Sequence, residues 1–182
     1  AKEKGAFPKC TTAIKQAIIT SDFIRNLNLP FAVIDEIQRN GLYNSQLLTC
    51  APTGTIGTML QVSTGVEPNF AFSYNRRTVS LNNEETVYKV ETQIVTDYKK
   101  VTGATELPDY FVASADINYK DRIAVQAQLQ RFIDASISST VNLPSKTTVK
   151  EVADLYMLAW KSGLKGITIW RLSLIHIELP TN

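Results

Sequence analysis

Apolar residues recur at helical spacing near the start of the chain. Over residues 11–27 they fall three and four positions apart, which predicts one amphipathic helix. The apolar positions are Ile14, Ile18, Ile19, Phe23 and Ile24. The pattern repeats more briefly over residues 32–39, and Gly41 closes the turn after it. The chain is therefore predicted to begin with helices.

The next predicted unit is a short strand that runs through a loop into a helix. Residues 47–51 are apolar or β-prone, as is typical of a short buried strand, and Pro52 ends it. Residues 55–61 are predicted to form the helix. Between the two, Gly54 permits a sharp turn, because glycine tolerates positive φ.

Two longer helices are predicted in the second half of the chain. Asn118, with Asp121 three residues later, opens the first. Thr148 and Glu151 have the spacing of a capping box and open the second, which ends at Gly163. Their apolar positions are Ile123, Val125, Ala127, Leu129, Phe132 and Ile133 in the first helix, and Val152, Ala153, Tyr156, Met157 and Trp160 in the second.

Residues 139–143 and 166–170 are strand-like and lie on either side of the second helix. Strands separated by such helices indicate a right-handed β-α-β unit in a parallel sheet, so the predicted fold class is α/β. The middle of the chain is less regular. Residues 76–81 are predicted as a strand, whereas in residues 84–100 the spacing favours a helix and the residue types favour a strand.

Composition argues against nucleic-acid-polymer binding and membrane-spanning proteins, but it does not indicate a particular function. The chain has 182 residues, 44% hydrophobic and 20% charged, with a formal charge of +2, which are ordinary values for a globular domain. No basic run supports recognition of a nucleic acid polymer. No apolar run approaches the ~20 residues of a membrane span and no signal peptide opens the chain, so we expect a cytoplasmic protein without membrane contact.

The loop after the predicted strand, Pro-Thr-Gly-Thr at residues 52–55, is the main candidate for chemistry. It carries no charge, but the free N–H groups of a helix start and the hydroxyls of Thr53 and Thr55 together make a phosphate cradle. Neither the P-loop motif nor the dinucleotide-binding glycine motif is present. Turns of this composition are common, so the loop alone is weak evidence and a purely structural turn remains open.

Six segments in order add a more specific signal. The most characteristic are residues 44–56, which end in Ala-Pro-Thr-Gly-Thr-Ile, Ser-Thr-Gly-Val-Glu-Pro-Asn-Phe at 63–70 and Gly-Leu-Lys-Gly-Ile-Thr-Ile-Trp-Arg at 163–171. Residues 1–8, 74–77 and 133–144 carry the other three. In this order they closely resemble the C-terminal part of the large chain of ribonucleotide reductases, most of all the adenosylcobalamin-dependent class. The resemblance covers residues 1–171.

The resemblance implies a fold and a division of labour. The family fold is a ten-stranded α/β barrel, of which this chain would supply the C-terminal portion, incomplete on its own. The segments bearing the radical, the reducing cysteines and most adenosylcobalamin contacts would lie upstream, so the chain alone would be inactive. The implied partners are a ribonucleotide substrate and the remainder of the reductase chain. The resemblance is also compatible with a parent enzyme that is a dimer.

Carried over residue by residue, the family's phosphate-binding loop falls on Pro52, Thr53, Gly54, Thr55 and Ile56. We call these residues the 52–56 loop. In the family it binds the substrate's phosphates and thereby orients the ribose. Gly57 stands where the family usually has serine, which removes one hydroxyl donor but keeps the backbone N–H.

Other conspicuous residues favour structural interpretations. Cys50 is expected to be a small buried side chain and Trp160 a core residue, while Cys10 is expected to be incidental. Glu67 lacks a histidine or second carboxylate nearby in sequence to support a general-base role. Asn142 lies at a predicted strand end, and one interpretation is that it faces the mouth of the barrel. Arg76 and Arg77 fit a surface ion-pair site better than a phosphate contact.

The last residues depart from the family pattern. Residues 172–182 are expected to be a non-native or disordered tail beside a barrel part at residues 1–171, and His176 within it is not expected to bind metal. Two alternatives stay open. The parent belongs to the metal-cofactor class of the same barrel, or the chain is a stand-alone nucleotide-binding or assembly module.

Overall fold

The computed structural model describes residues 1–79 and 85–171, and for residues 76–79 and 85–86 it describes the backbone only. Within these ranges none of the helices is long and apolar enough to cross a membrane. His176 and the predicted tail at residues 172–182 lie outside the described residues, as do the side chains of Arg76 and Arg77.

Three helices open the chain, where two were predicted. They are α1 (Thr12–Thr20), α2 (Asp22–Asn26) and α3 (Phe31–Asn40). The predicted single helix over residues 11–27 is wrong because Ser21 is extended, with ψ 148°, and its hydroxyl accepts the N–H of Ile24 to start α2. α3 ends at Gly41 with a positive φ of 74°, as predicted.

The uncertain middle contains both a hairpin and a helix. Helix α4 (Gly54–Leu60) is followed by β1 (Ser73–Val79) and β2 (Glu85–Glu91), which pair antiparallel, and then by α5 (Gln93–Thr102). Residues 84–100 therefore include strand and helix in succession, divided at Thr92. Thr92 is extended and caps α5, so both competing signals in that stretch were real.

The second half confirms the predicted β-α-β unit. Helix α6 (Tyr119–Gln130) precedes β3 (Thr140–Leu143), α7 (Val149–Lys161) and β4 (Thr168–Arg171). Strands β3 and β4 are parallel, and Thr140 pairs with Thr168. The Thr148–Glu151 capping box is present at the start of α7.

The predicted buried strand at residues 47–51 is wrong in extent and in burial. Only Cys50 forms a bridge, parallel to Ile137, and Leu47 and Leu48 are 45% and 46% exposed. The backbone nevertheless runs beside residues 135–138, since Ala135 N–H donates to Leu48 O and Ser138 N–H to Cys50 O. Extended segments thus lie side by side in an open α/β arrangement.

The core lies between α6, α7 and the β3–β4 pair. It consists of Ile123, Val141, Leu143, Leu155 and Ala159. Trp160 is 71% exposed, so its predicted core position is wrong: Leu155 and Ala159 occupy the buried side of α7, and the next residue is turned away from it.

The buried side of α6 is partly polar, contrary to the apolar pattern. Arg122, Gln126 and Gln130 are buried with Ile123, whereas Val125 and Leu129 are 52% and 40% exposed. The buried polar residues follow one another at intervals of four, which places them on one helical face. Their side chains hydrogen-bond to backbone or hydroxyl groups of the neighbouring segments.

Candidate functional site

An aspartate anchors the extended segment that leads into the 52–56 loop. The carboxylate of Asp134 accepts the N–H groups of Leu47 and Leu48 at 2.7 and 2.6 Å. Two residues later Cys50 bridges to Ile137 in parallel. The loop therefore leaves the carboxyl end of a segment that is fixed against residues 134–138.

The loop turns at Thr53 and not at Gly54. Thr53 is left-handed, with φ 53° and ψ 28°, and is the N-cap of α4, whereas Gly54 is the first helical residue. The expectation that Gly54 supplies the positive φ is wrong. Helix α4 begins one residue earlier than predicted, which moves the strained position onto the threonine. A Cβ atom at Gly54 would meet nothing within 4 Å.

The loop exposes backbone donors without charged side chains. All of residues 52–56 are exposed, and residues 44–66 contain no charged residue. No side chain caps α4. Within the part of the chain that the structure describes, no acceptor pairs with the N–H groups of Gly54, Thr55 and Ile56. The arrangement can therefore donate to an anion through backbone N–H groups.

A second segment packs directly against the loop. The hydroxyl of Thr53 accepts the N–H of Gly65 at 3.1 Å. Gly65 has φ 56°, and a Cβ placed on it would lie 3.4 Å from the carbonyl oxygens of Ala51 and Pro52. Because the Thr53 oxygen accepts this bond, its own proton is free to be donated to a ligand.

The structure gives Glu67 and Asn142 structural partners. Glu67 Oε1 accepts the N–H of Thr140 at 2.7 Å, at the first residue of β3. Asn142 donates from Nδ2 to the Ser114 hydroxyl at 2.7 Å. Both contacts join segments that are far apart in sequence.

The two cysteines are half-buried and not disulfide-bonded. Cys50 is less buried than expected, because its segment is covered on one side only, by residues 135–138. Among the described residues no group of three His, Cys, Asp or Glu side chains is placed to hold a metal ion.

A cavity of about 740 Å³ lies at the other end of α4. It is bounded by Gly57 of α4, Gln61 just after that helix, Tyr74 of β1, and Thr92 before α5. None of its lining residues belongs to the 52–56 loop. The candidate anion site is thus an exposed surface loop and not the floor of a closed pocket.

Sequence reasoning missed the residues that hold this site in place. Asp134 and Arg122 contact segments far away in sequence, and each lies in a helix-like apolar pattern that drew attention to its neighbours. The signal that was available is the spacing of four between Arg122, Gln126 and Gln130. A polar residue every four positions on a predicted amphipathic helix marks a face that is hydrogen-bonded as well as packed.

Comparison with known proteins identifies relatives of nearly the whole chain. The family described as ribonucleotide reductase, barrel domain, matches residues 1–170. A vitamin B12-dependent ribonucleoside-diphosphate reductase of Mycobacterium tuberculosis (strain CDC 1551 / Oshkosh) is 33% identical over 147 residues, which covers 70% of this chain and 21% of that protein.

Two other relatives come from other organisms. A vitamin B12-dependent ribonucleotide reductase of Rhodopirellula baltica is 30% identical over 168 residues, covering 76% of this chain and 16% of the relative. A vitamin B12-dependent ribonucleoside-diphosphate reductase of Thermoplasma acidophilum is 29% identical over 147 residues, covering 70% and 19%. The chain spans about a fifth of the length of these curated relatives.

Proposed function

Because the chain belongs to the ribonucleotide reductase barrel-domain family, we propose that it supplies the substrate-phosphate-binding loop of a vitamin B12-dependent ribonucleotide reductase. The fold is part of that barrel, and its short sheets are not closed. The barrel part occupies residues 1–171 in this proposal, and residues 172–182 lie beyond it.

One observation carries the assignment of the loop. Within the family match, the 52–56 loop presents the unpaired N–H groups of Gly54, Thr55 and Ile56 in an exposed, charge-free turn. Three N–H donors beside a free hydroxyl proton suit the oxygens of a phosphate group. The first N–H groups of any helix lack an intrahelical acceptor, and at the start of α4 no side-chain cap takes them up, so they are available to a ligand.

The loop's work in the reaction is positioning. A diphosphate held by these donors fixes the ribose relative to the reacting groups of the remaining barrel, and such orientation lowers the barrier without any bond chemistry at the loop. The Thr53 hydroxyl, whose oxygen accepts the N–H of Gly65, donates a hydrogen bond to a phosphate oxygen. Backbone donors are suited to this because they are fixed before the ligand arrives.

The cofactor is assigned mainly to parts of the reductase beyond these residues. Adenosylcobalamin, when bound, supplies the radical chemistry of this class. The only histidine of the sequence, His176, lies outside the described ranges. The chain's own residues bind and orient the nucleotide, and no step at the loop passes through the cofactor.

The test is a titration of the ¹⁵N-labelled 182-residue chain with ADP, pyrophosphate and adenosine. We expect ADP and pyrophosphate to shift the amide signals of Gly54, Thr55 and Ile56, and adenosine to leave them unchanged. Equal responses to adenosine and ADP, or responses confined to other residues, contradict the proposal.

A graded series at Gly54 sharpens the test. Since a Cβ at Gly54 meets nothing within 4 Å, Gly54→Ala and Gly54→Val should both fold. The larger side chain should crowd the anion and weaken ADP binding tenfold or more, a loss of about 1.4 kcal/mol. Normal ADP binding by Gly54→Val would leave the loop as a structural turn.

The series is then repeated in a chimera that carries residues 1–170 in place of the matching segment of the Mycobacterium tuberculosis reductase. There the Gly54→Val variant should raise KM more than it lowers kcat.

A further inference from the structure

A buried arginine contacts the segment that supports the 52–56 loop. Arg122 of α6 is 8% exposed, and its Nη2 donates to the carbonyl oxygen of Val66 at 3.0 Å and to the hydroxyl of Ser139 at 2.9 Å. Ser139 is itself 3% exposed. The guanidinium thus joins α6, the residue before β3 and the segment beside the loop at one interior point.

Three consecutive residues of that segment each make one long-range hydrogen bond. Gly65 donates its N–H to the hydroxyl of Thr53, Val66 accepts from Arg122, and the carboxylate of Glu67 accepts the N–H of Thr140. The first of these bonds reaches the candidate site and the other two reach the interior. Movement of Val66 would therefore move the partner of Thr53.

The charge on Arg122 is costly where it lies. Burial lowers the pKa of its guanidinium, and the neighbouring Glu67 carboxylate partly offsets that effect. An apolar side chain of similar size would fill the same space without the desolvation cost. An apolar side chain, however, has no N–H donors, whereas the planar guanidinium hydrogen-bonds to the Val66 carbonyl and the Ser139 hydroxyl at the same time.

We propose that Arg122 is a positioning residue for the 52–56 loop, acting through the Val66 carbonyl and the Gly65 N–H on Thr53. This inference rests on the proposed function for its ligand. Arg122 itself does not touch the nucleotide. It fixes the left-handed turn at Thr53, whose conformation aims the N–H groups of Gly54 and Thr55.

The test uses Arg122→Met, which keeps the bulk and removes the donors, and Arg122→Lys, which keeps the charge. Arg131→Met is the matched control, because Arg131 is the exposed C-cap residue that directly follows the same helix. In the 182-residue chain, Arg122→Met should raise the Kd for ADP and for pyrophosphate by the same factor, fivefold or more. It should also speed exchange of the Gly65 amide about tenfold. Arg122→Lys should fall between wild type and Arg122→Met, and Arg131→Met should match wild type.

Coupling to Thr53 separates positioning from general stabilisation. Thr53→Ala removes the bond through which Arg122 is proposed to act, so Arg122→Met should weaken ADP binding much less in that background. Independent, multiplicative losses would overturn the proposal, as would wild-type Gly65 exchange in both Arg122 variants. If Arg122→Met does not fold, Arg122→Lys gives the same comparison.

Failure of the proposed function would appear differently. If the wild-type chain and the chimera show no phosphate-dependent binding, the loop assignment falls. The exchange rate of the Gly65 amide in the Arg122 variants still decides whether Arg122 holds this segment in place.

Discussion

Gly57 and Thr64 fit together only because Gly57 has no side chain. A Cβ atom on Gly57 would collide with the Cγ2 methyl of Thr64 and would lie 3.3 Å from the carbonyl oxygen of Val62. Gly57 is the buried residue of α4. The absence of a side chain at Gly57 therefore makes room for the threonine that packs over it.

Introducing serine at position 57 should destabilise the chain. Gly57→Ser overfills the contact and should reduce the free energy of unfolding by about 1–3 kcal/mol in urea denaturation. Thr64→Ala removes the colliding methyl group, so the Gly57→Ser/Thr64→Ala double variant should recover most of that loss. Equal losses from Gly57→Ser in both backgrounds would show that Thr64 is not the obstacle.

Asp134 should stabilise the approach to the 52–56 loop through its two backbone contacts. Asp134→Asn leaves one oxygen for two donors, so it should cost about 1.5–2 kcal/mol. This is the lower part of the range for hydrogen bonds to charged groups, because the site is partly exposed. Amide exchange at Leu47 and Leu48 should accelerate. Asp154→Asn, at an exposed ion pair on α7, is the control and should change stability by less than about 0.5 kcal/mol. Unchanged exchange at both leucines would refute this role.

The capping box of α7 should give a pH dependence. Hydrogen bonds from the backbone N–H and hydroxyl of Thr148 lower the pKa of Glu151 below its ordinary value of 4.5. A carboxylate whose folded pKa is depressed stabilises the fold above the unfolded pKa, and loses that contribution as the pH falls through the folded pKa. The Tm advantage of wild type over Glu151→Gln should thus be complete at neutral pH and shrink below about pH 4.5. Exposed Glu106→Gln serves as the control, and a Tm difference that does not shrink as the pH falls below about 4.5 would contradict the prediction.

The 182-residue chain should form no deoxynucleotide by itself. The proposed function gives it positioning only, and its two cysteines, Cys10 and Cys50, are not assigned to thiyl chemistry. Incubation with ribonucleotide, adenosylcobalamin and a dithiol should yield no product above a control without protein. Product that disappears in Cys50→Ala would place the thiol chemistry in this segment.

Local sequence determined the elements whose signals lie within a few residues. The Thr148 and Glu151 side chains satisfy each other's backbone across three positions, so the start of α7 was predictable from sequence. The β-α-β order could be predicted because strand-like and helix-like segments alternate along the chain. The family could be recognised because its motifs are short runs of consecutive residues. Periodicity did not reveal the break at Ser21, because apolar spacing continues across it.

Tertiary contacts decided what these patterns left open. Thr53 takes the left-handed turn beside Gly65, a partner twelve residues away in sequence, while Gly54 stays helical. Trp160 is exposed and Arg122 is buried, the opposite of what the hydrophobicity of each side chain predicts. The reason is that burial depends on which helical face meets β3 and β4. A single sequence specifies each helix's possible faces through its period, but which face is covered depends on segments that only folding brings together.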